Sequence, residues 1–279
     1  MPSNPTVKQR RLARKLREAR AAAGLTHAHA AAVLQCKQPK ISKIESASVG
    51  ISSDDARALA EAYGLDSEKV ERLAKLARDA RKKGWYHIFA DAMSNGVAEF
   101  MEMESEAASI CNYQVDVIPG LLQTEDYARA VIKVFDEVEE DTVERRTDLR
   151  MQRQRRFLEN GQSLWAVVDA GALARVVGGP EVHRAQLWHL CNVIEYPTVT
   201  FQVVPPEAGE HMAMGTPFAC FQFDDGAGAV AIDHLSGTWC TEEDAVVERY
   251  RFAYQHLRAT ALNVRDSAQC VRKMAENTM

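Results

Sequence analysis

In the first 83 residues, apolar side chains recur at spacings of three and four, and glycine or proline punctuates the recurrences. That patterning describes a set of short packed helices. Residues 8–23 carry Leu12, Leu16, Ala19 and Ala23 on one stripe, with Arg10, Arg14, Arg17 and Arg20 largely off it. Gly24 stops this helix, because glycine accepts the left-handed conformation after a last turn. Thr26 then caps HAHAAAVL, whose small alanines allow close approach. A third helix is expected over 38–46. Asp54 and Asp55 open a fourth, DARALAEAY, ending at Gly64, and a fifth spans about 67–83 with Val70, Leu73, Ala77 and Ala80.

The third helix, QPKISKIES, is the informative one. Ile41 and Ile44 share a face and would anchor it to its neighbours. Pro39 suits a first turn, where the amide it lacks has no partner anyway. Gln38, Ser42, Lys43 and Ser46 then point outward, with Lys40 toward the rim. Gln and Ser can hydrogen-bond base edges, and Lys can reach guanine or a phosphate. The same pattern also describes an ordinary surface helix with a solvated polar face.

Charge separates the chain into two regions. Residues 1–83 hold 18 Lys and Arg against 9 Asp and Glu, a net of +9, and the remainder holds 16 against 30, a net of -14. A basic head on an acidic body suggests that the head meets a polyanion.

Beyond a boundary near GWYHIF, the pattern changes. Helices are expected over 97–110, after the turn VDVIPG within 115–135, over 143–158, over about 181–195 and from Glu242 to about Ala261. Thr124 is the expected cap of the second of these, with Glu125 and Asp126 in its first turn. Strand-like runs lie at 164–169, 199–205, 218–223 and 229–233. The last three are close enough in sequence to pair antiparallel. The helix at 143–158 places Arg146, Arg150 and Arg153 on one stripe. That stripe reads as a solvated face balanced by the domain's own carboxylates, as a site for an acidic partner or anion, or as a second DNA contact.

No motif for catalysis is present: no GxSxG, Walker loop or HExxH. His183 and His189, beside Cys191, fall about 120° apart on a helix and do not converge on a metal. Asp224–Asp225 and Glu242–Glu243 read as turn and first-turn charge. The six cysteines contain no CxxC pair and read as buried thiols of a reducing cytoplasm. No apolar run approaches a membrane span, and the basic N-terminus has no apolar core behind it.

Residues 12–45, LARKLREARAAAGLTHAHAAAVLQCKQPKISKIE, resemble the helix-turn-helix of the XRE (Cro/CI-type repressor) family. Leu16, Arg17, Arg20, Gly24, Leu25, Thr26, Ala31, Leu34, Gln38, Ile41, Ser42, Ile44 and Glu45 fall in register. The departures are Gln35, where a turn glycine is common, Lys37, where a capping Ser is common, and His27, where Gln is usual. The resemblance implies that Gln38, Pro39, Lys40, Ser42 and Lys43 form the face of a recognition helix. It also makes Arg17, Thr26, His27 and Lys37 candidates for phosphate contacts. VIPGLLQTEDYARAVI, ERRTDLRMQRQRRFL, ALARVVGGPEVHRAQLWHL, PTVTFQVVP and FACFQFDD resemble the C-terminal domain of WhiJ-like regulators of actinobacteria. These couple such a head to an antitoxin-like body and are typically encoded beside a small partner protein. One departure is Asp169–Ala170, where an acid is common at the second place.

The expected architecture is therefore a mainly α, five-helix helix-turn-helix domain over 8–83, followed by an α+β domain over 84–275 with a small antiparallel sheet. The expected function is that of a cytoplasmic, non-enzymatic transcription regulator, a dimeric repressor on a near-palindromic operator in double-stranded DNA. A small, acidic partner protein encoded nearby would control it through the stripe Arg146, Arg150 and Arg153. No cofactor or metal is expected. Two alternatives remain: an antitoxin that neutralises a neighbouring small protein, with autoregulatory DNA binding, and a sensor gated by a small molecule.

Overall fold

A computed structural model describes residues 5–135 and 139–278. The chain divides into two compact units, one up to Trp85 and one from Tyr86 onward.

The first unit holds five helices: α1 (Val7–Ala22), α2 (His27–Val33), α3 (Gln38–Glu45), α4 (Ser53–Ala62) and α5 (Ser67–Asp79). Local chemistry sets most of their ends. Thr6 and Gln9 form a capping box at the start of α1, and Gly24 follows its end at φ 67°. Thr26 and His29 form the equivalent box on α2, with the imidazole standing in for the usual Glu or Gln. The cap of α4 is Ser52, just ahead of the acids expected to open the helix. Leu12, Leu16, Ala30, Ile41, Ile44, Leu59, Leu73 and Ala77 meet in one buried core.

The second unit is built on a six-stranded sheet. Its elements in chain order are α6 (Val97–Glu106), β1 (Ser109–Gln114), α7 (Glu125–Phe135), α8 (Glu140–Asn160), β2 (Ser163–Asp169), α9 (Ala170–Ala174), α10 (Pro180–Val193), β3 (Val199–Val204), β4 (Phe218–Gln222), β5 (Gly228–His234), β6 (Gly237–Thr241), α11 (Asp244–Thr260) and α12 (Val264–Asn277). The strand order is β3-β2-β1-β4-β5-β6. β1, β2 and β3 run parallel, whereas β4, β5 and β6 pair antiparallel.

The α+β class holds, but a small antiparallel sheet does not describe this one. Half of it is parallel, because two helical crossovers, α7–α8 and α9–α10, return the chain to the same strand direction. The run at 199–204 does not pair with its sequence neighbours. It lies at the far edge beside β2, where α12 covers it: Leu262 N donates to Val203 O at 2.8 Å, and Val203 N donates to Ser267 Oγ at 3.0 Å. Two strands, β1 and β6, have no strand-like run in the sequence to announce them.

One sheet face carries Tyr113, Val167, Phe218, Cys220 and Val230 against Val247, Tyr254 and Leu257 of α11. On the other face, Phe221 meets Phe100 of α6 edge-on, with ring centres 5.5 Å apart. All six cysteines are free thiols, and only Cys220 is fully buried. Burial pushes its thiol well above the ordinary range.

Candidate nucleic-acid interface

The third helix begins without a side-chain cap, since Lys37 occupies the N-cap position and makes no capping bond. Packing supplies what the cap does not. Ile41 and Ile44 are 0% and 2% exposed, so one face of α3 is committed to the core. Gln38, Pro39, Lys40, Ser42 and Lys43 are all exposed on the remaining faces. Exposed hydrogen-bonding heads on a short helix locked by two branched anchors are what reading a major groove requires.

Two flanking turns are strained. Gln35, before α3, has φ 48°, and Ala47, after it, has φ 57°, a region that favours glycine. The departure at Gln35 is therefore a genuine left-handed position held by a non-glycine residue. Ala47 is a second such site, and nothing in the sequence marks it.

The far end of α3 is clamped by a charged cluster. Arg20 of α1 donates to both oxygens of Glu45, Nε to Oε1 at 2.6 Å and Nη2 to Oε2 at 2.8 Å. It also donates Nη1 to Leu25 O at 2.7 Å. His27 Nε2 lies 3.0 Å from Glu45 Oε2. Burial would raise the Glu45 carboxyl, but the bonds from Arg20 and His27 outweigh it and hold the group below the usual carboxylate range. One carboxylate thus ties α1, the start of α2 and the end of α3 together. Its register is visible in the sequence, but its partnership with Arg20 and His27 is not.

The phosphate candidates differ in their freedom. Arg17 and Lys37 are exposed. The Thr26 hydroxyl is already engaged in capping, accepting from His29 N at 3.4 Å and lying 3.0 Å from His29 Nδ1. The His27 ring faces Glu45, although its side chain remains 41% exposed.

In the second unit, the arginine stripe is half-buried and bonded within the unit. Arg153 donates to both oxygens of Glu104 at 2.7 and 2.6 Å, sits over the Phe100 ring, and is only 12% exposed. Arg150 Nη1 donates to Gln123 Oε1 at 2.7 Å, and Arg146 Nε donates to Ala92 O at 2.6 Å. Each of these guanidinium groups thus binds α8 to a neighbouring segment of its own unit. Helical periodicity shows which residues share a face, but not whether that face is covered.

No helix among the described residues is long and apolar enough to cross a membrane. Neither the curated proteins nor the solved structures contain a match to the chain. A helix-turn-helix domain model matches residues 11–73, the stretch that contains α2, α3 and the Glu45 clamp. This supports an XRE-type head and DNA-binding transcription regulation. The model described as a domain of unknown function (DUF5753) matches residues 97–273, more than half of the chain, and the protein belongs to that family.

Proposed function

We propose that the protein represses transcription by binding a near-palindromic operator as a homodimer, with α3 read into the major groove of each half-site. The observation that carries this reading is the division of α3 into a buried isoleucine face and an exposed face of Gln38, Lys40, Ser42 and Lys43. Within that face, Gln38 and Lys43 are the base readers, while Arg17, Lys37 and Lys40 grip phosphate. Thr26 and His27 support the docking geometry more than the contact, because their polar atoms already have partners. A two-fold dimer would set its recognition helices about 34 Å apart, one turn of DNA.

The remaining parts of the reading are domain limits of 8–83 and 84–275, a cytoplasmic location and control by a small partner protein that binds the second unit. Arg146, Arg150 and Arg153 are the contact for such a partner, which would compete for the bonds they make inside the second unit.

The test is selection of bound sequences from random DNA, followed by affinity measurements on the recovered site. Gln38→Ala with Lys43→Ala should lower affinity for the selected site by about 10- to 100-fold, and affinity for random DNA by much less. An equal loss on both would reduce these residues to carriers of charge.

A further inference from the structure

The positive charge of the first unit is mostly not on its reading helix. Of the 18 Lys and Arg in residues 1–83, only Lys37, Lys40 and Lys43 belong to α3 and its cap, whereas Lys75, Arg78, Arg81, Lys82 and Lys83 crowd the end of α5. All five are exposed. A single carboxylate, Asp79, stands among them; Lys82 Nζ lies 2.8 Å from its Oδ1 and holds it below the usual range, and Lys8 of α1 and Lys75 add to the same effect. The start of α1 and the end of α5 therefore bring their cations to one place. Lys75 and Arg78 stand three residues apart on α5, and Arg81, Lys82 and Lys83 follow its end, so like charges gather with one carboxylate between them. A polyanion relieves the repulsion among them.

The position of the cluster points to its occupant. Arg81 shares the rim of a small void with Gln9 of α1 and with Val49 and Gly50, in the loop after α3. Val49 N donates to Lys43 O at 3.2 Å, which holds that loop against the reading helix. Arg81, one member of the cluster, thus stands beside the loop that follows α3. Phosphates are the only part of a duplex that extends beyond a half-site with the same chemistry at every step.

We propose that Lys75, Arg78, Arg81 and Lys83 form a second, sequence-independent DNA contact that grips backbone phosphates outside the half-site read by α3. The proposal rests on the DNA-binding reading above but is separable from it. The full-length protein would be titrated against the selected operator in duplexes of about 20 and about 40 base pairs, the shorter spanning only two half-sites. Wild type should bind the longer duplex about tenfold more tightly. K75Q/R78Q/R81Q should match wild type on the short duplex and gain nothing from length, and K75R/R78K/R81K should behave as wild type. On the long duplex, the glutamine variant should also flatten the slope of log affinity against log salt by about 2 to 3, close to one for each phosphate no longer neutralised. The proposal is overturned if wild type gains nothing from length, or if the glutamine variant loses equally on both duplexes. A wild-type chain that prefers no sequence at all would instead sink the regulator reading itself.

Discussion

The two units solve the problem of ordering charged side chains in different ways. In the first, a single clamp, Arg20 and His27 on Glu45, holds the end of one helix and leaves the polar face of that helix exposed. In the second, arginines of equal sequence prominence are turned inward: Arg146, Arg150 and Arg153 each bond to a neighbouring segment of the unit. Arg20 and Arg153 make the same forked bond at nearly the same burial, 14% and 12% exposed. What differs is the surroundings: the Arg20 clamp stands beside an exposed polar helix face, whereas the α8 stripe is half-buried along its length.

The comparison breaks most visibly at the anchors. Ile41→Ala should destabilise the first unit by about 3 kcal/mol and abolish specific DNA binding, because it leaves a cavity under the reading helix. The melting of the second unit should not move. A single shared transition that shifts as a whole would mean the units do not unfold independently.

Arg153→Ala is the matching test in the second unit. It leaves Glu104 buried without its partner and should cost about 3 kcal/mol there. Binding of operator DNA at temperatures below that unit's melting should persist. Loss of binding with the fold intact would give the arginine stripe a direct role in DNA contact.

The clamp can be tested by pH. Because the Glu45 carboxyl is held below its ordinary range in the folded state, its stabilising effect is complete at neutral pH and is lost as pH falls below about 4. Acid titration of unfolding by circular dichroism should show this loss in wild type and a flatter profile in Glu45→Gln. Identical profiles would show that the clamp contributes no net stability.

The smallest effect belongs to the turn. Gln35→Gly relieves a left-handed backbone position and should stabilise the first unit by about 0.5–1 kcal/mol, read as a raised melting temperature. A lowered temperature would mean that the Gln35 side chain contributes more than its backbone strain costs.

Legibility in the sequence follows the range of the interactions. The five helices of the first unit are readable because their determinants are local: Thr26 caps α2, Gly24 ends α1, and Ile41 and Ile44 are three residues apart. β1 escapes such reading because SICNYQ neither alternates cleanly nor runs apolar, and its burial comes from strands on both sides. β6 escapes it because GTWCT is a half-exposed edge held mainly by its pairing to β5. β3 is recognisable as a strand but not by its neighbours, since parallel pairing to β2 depends on a crossover and not on proximity in sequence.

The sequence by itself determined which segments of the first unit are helical, which face of α3 carries isoleucine and which carries polar heads, and that a basic region precedes an acidic one. These follow from periodicity and capping, which act over three or four residues. Only the tertiary structure decided the strand order, the union of Arg20, His27 and Glu45, and the bonds that Arg146, Arg150 and Arg153 make inside the second unit. Each of those depends on segments tens of residues apart being brought together, and a side chain's exposure is a property of what packs over it.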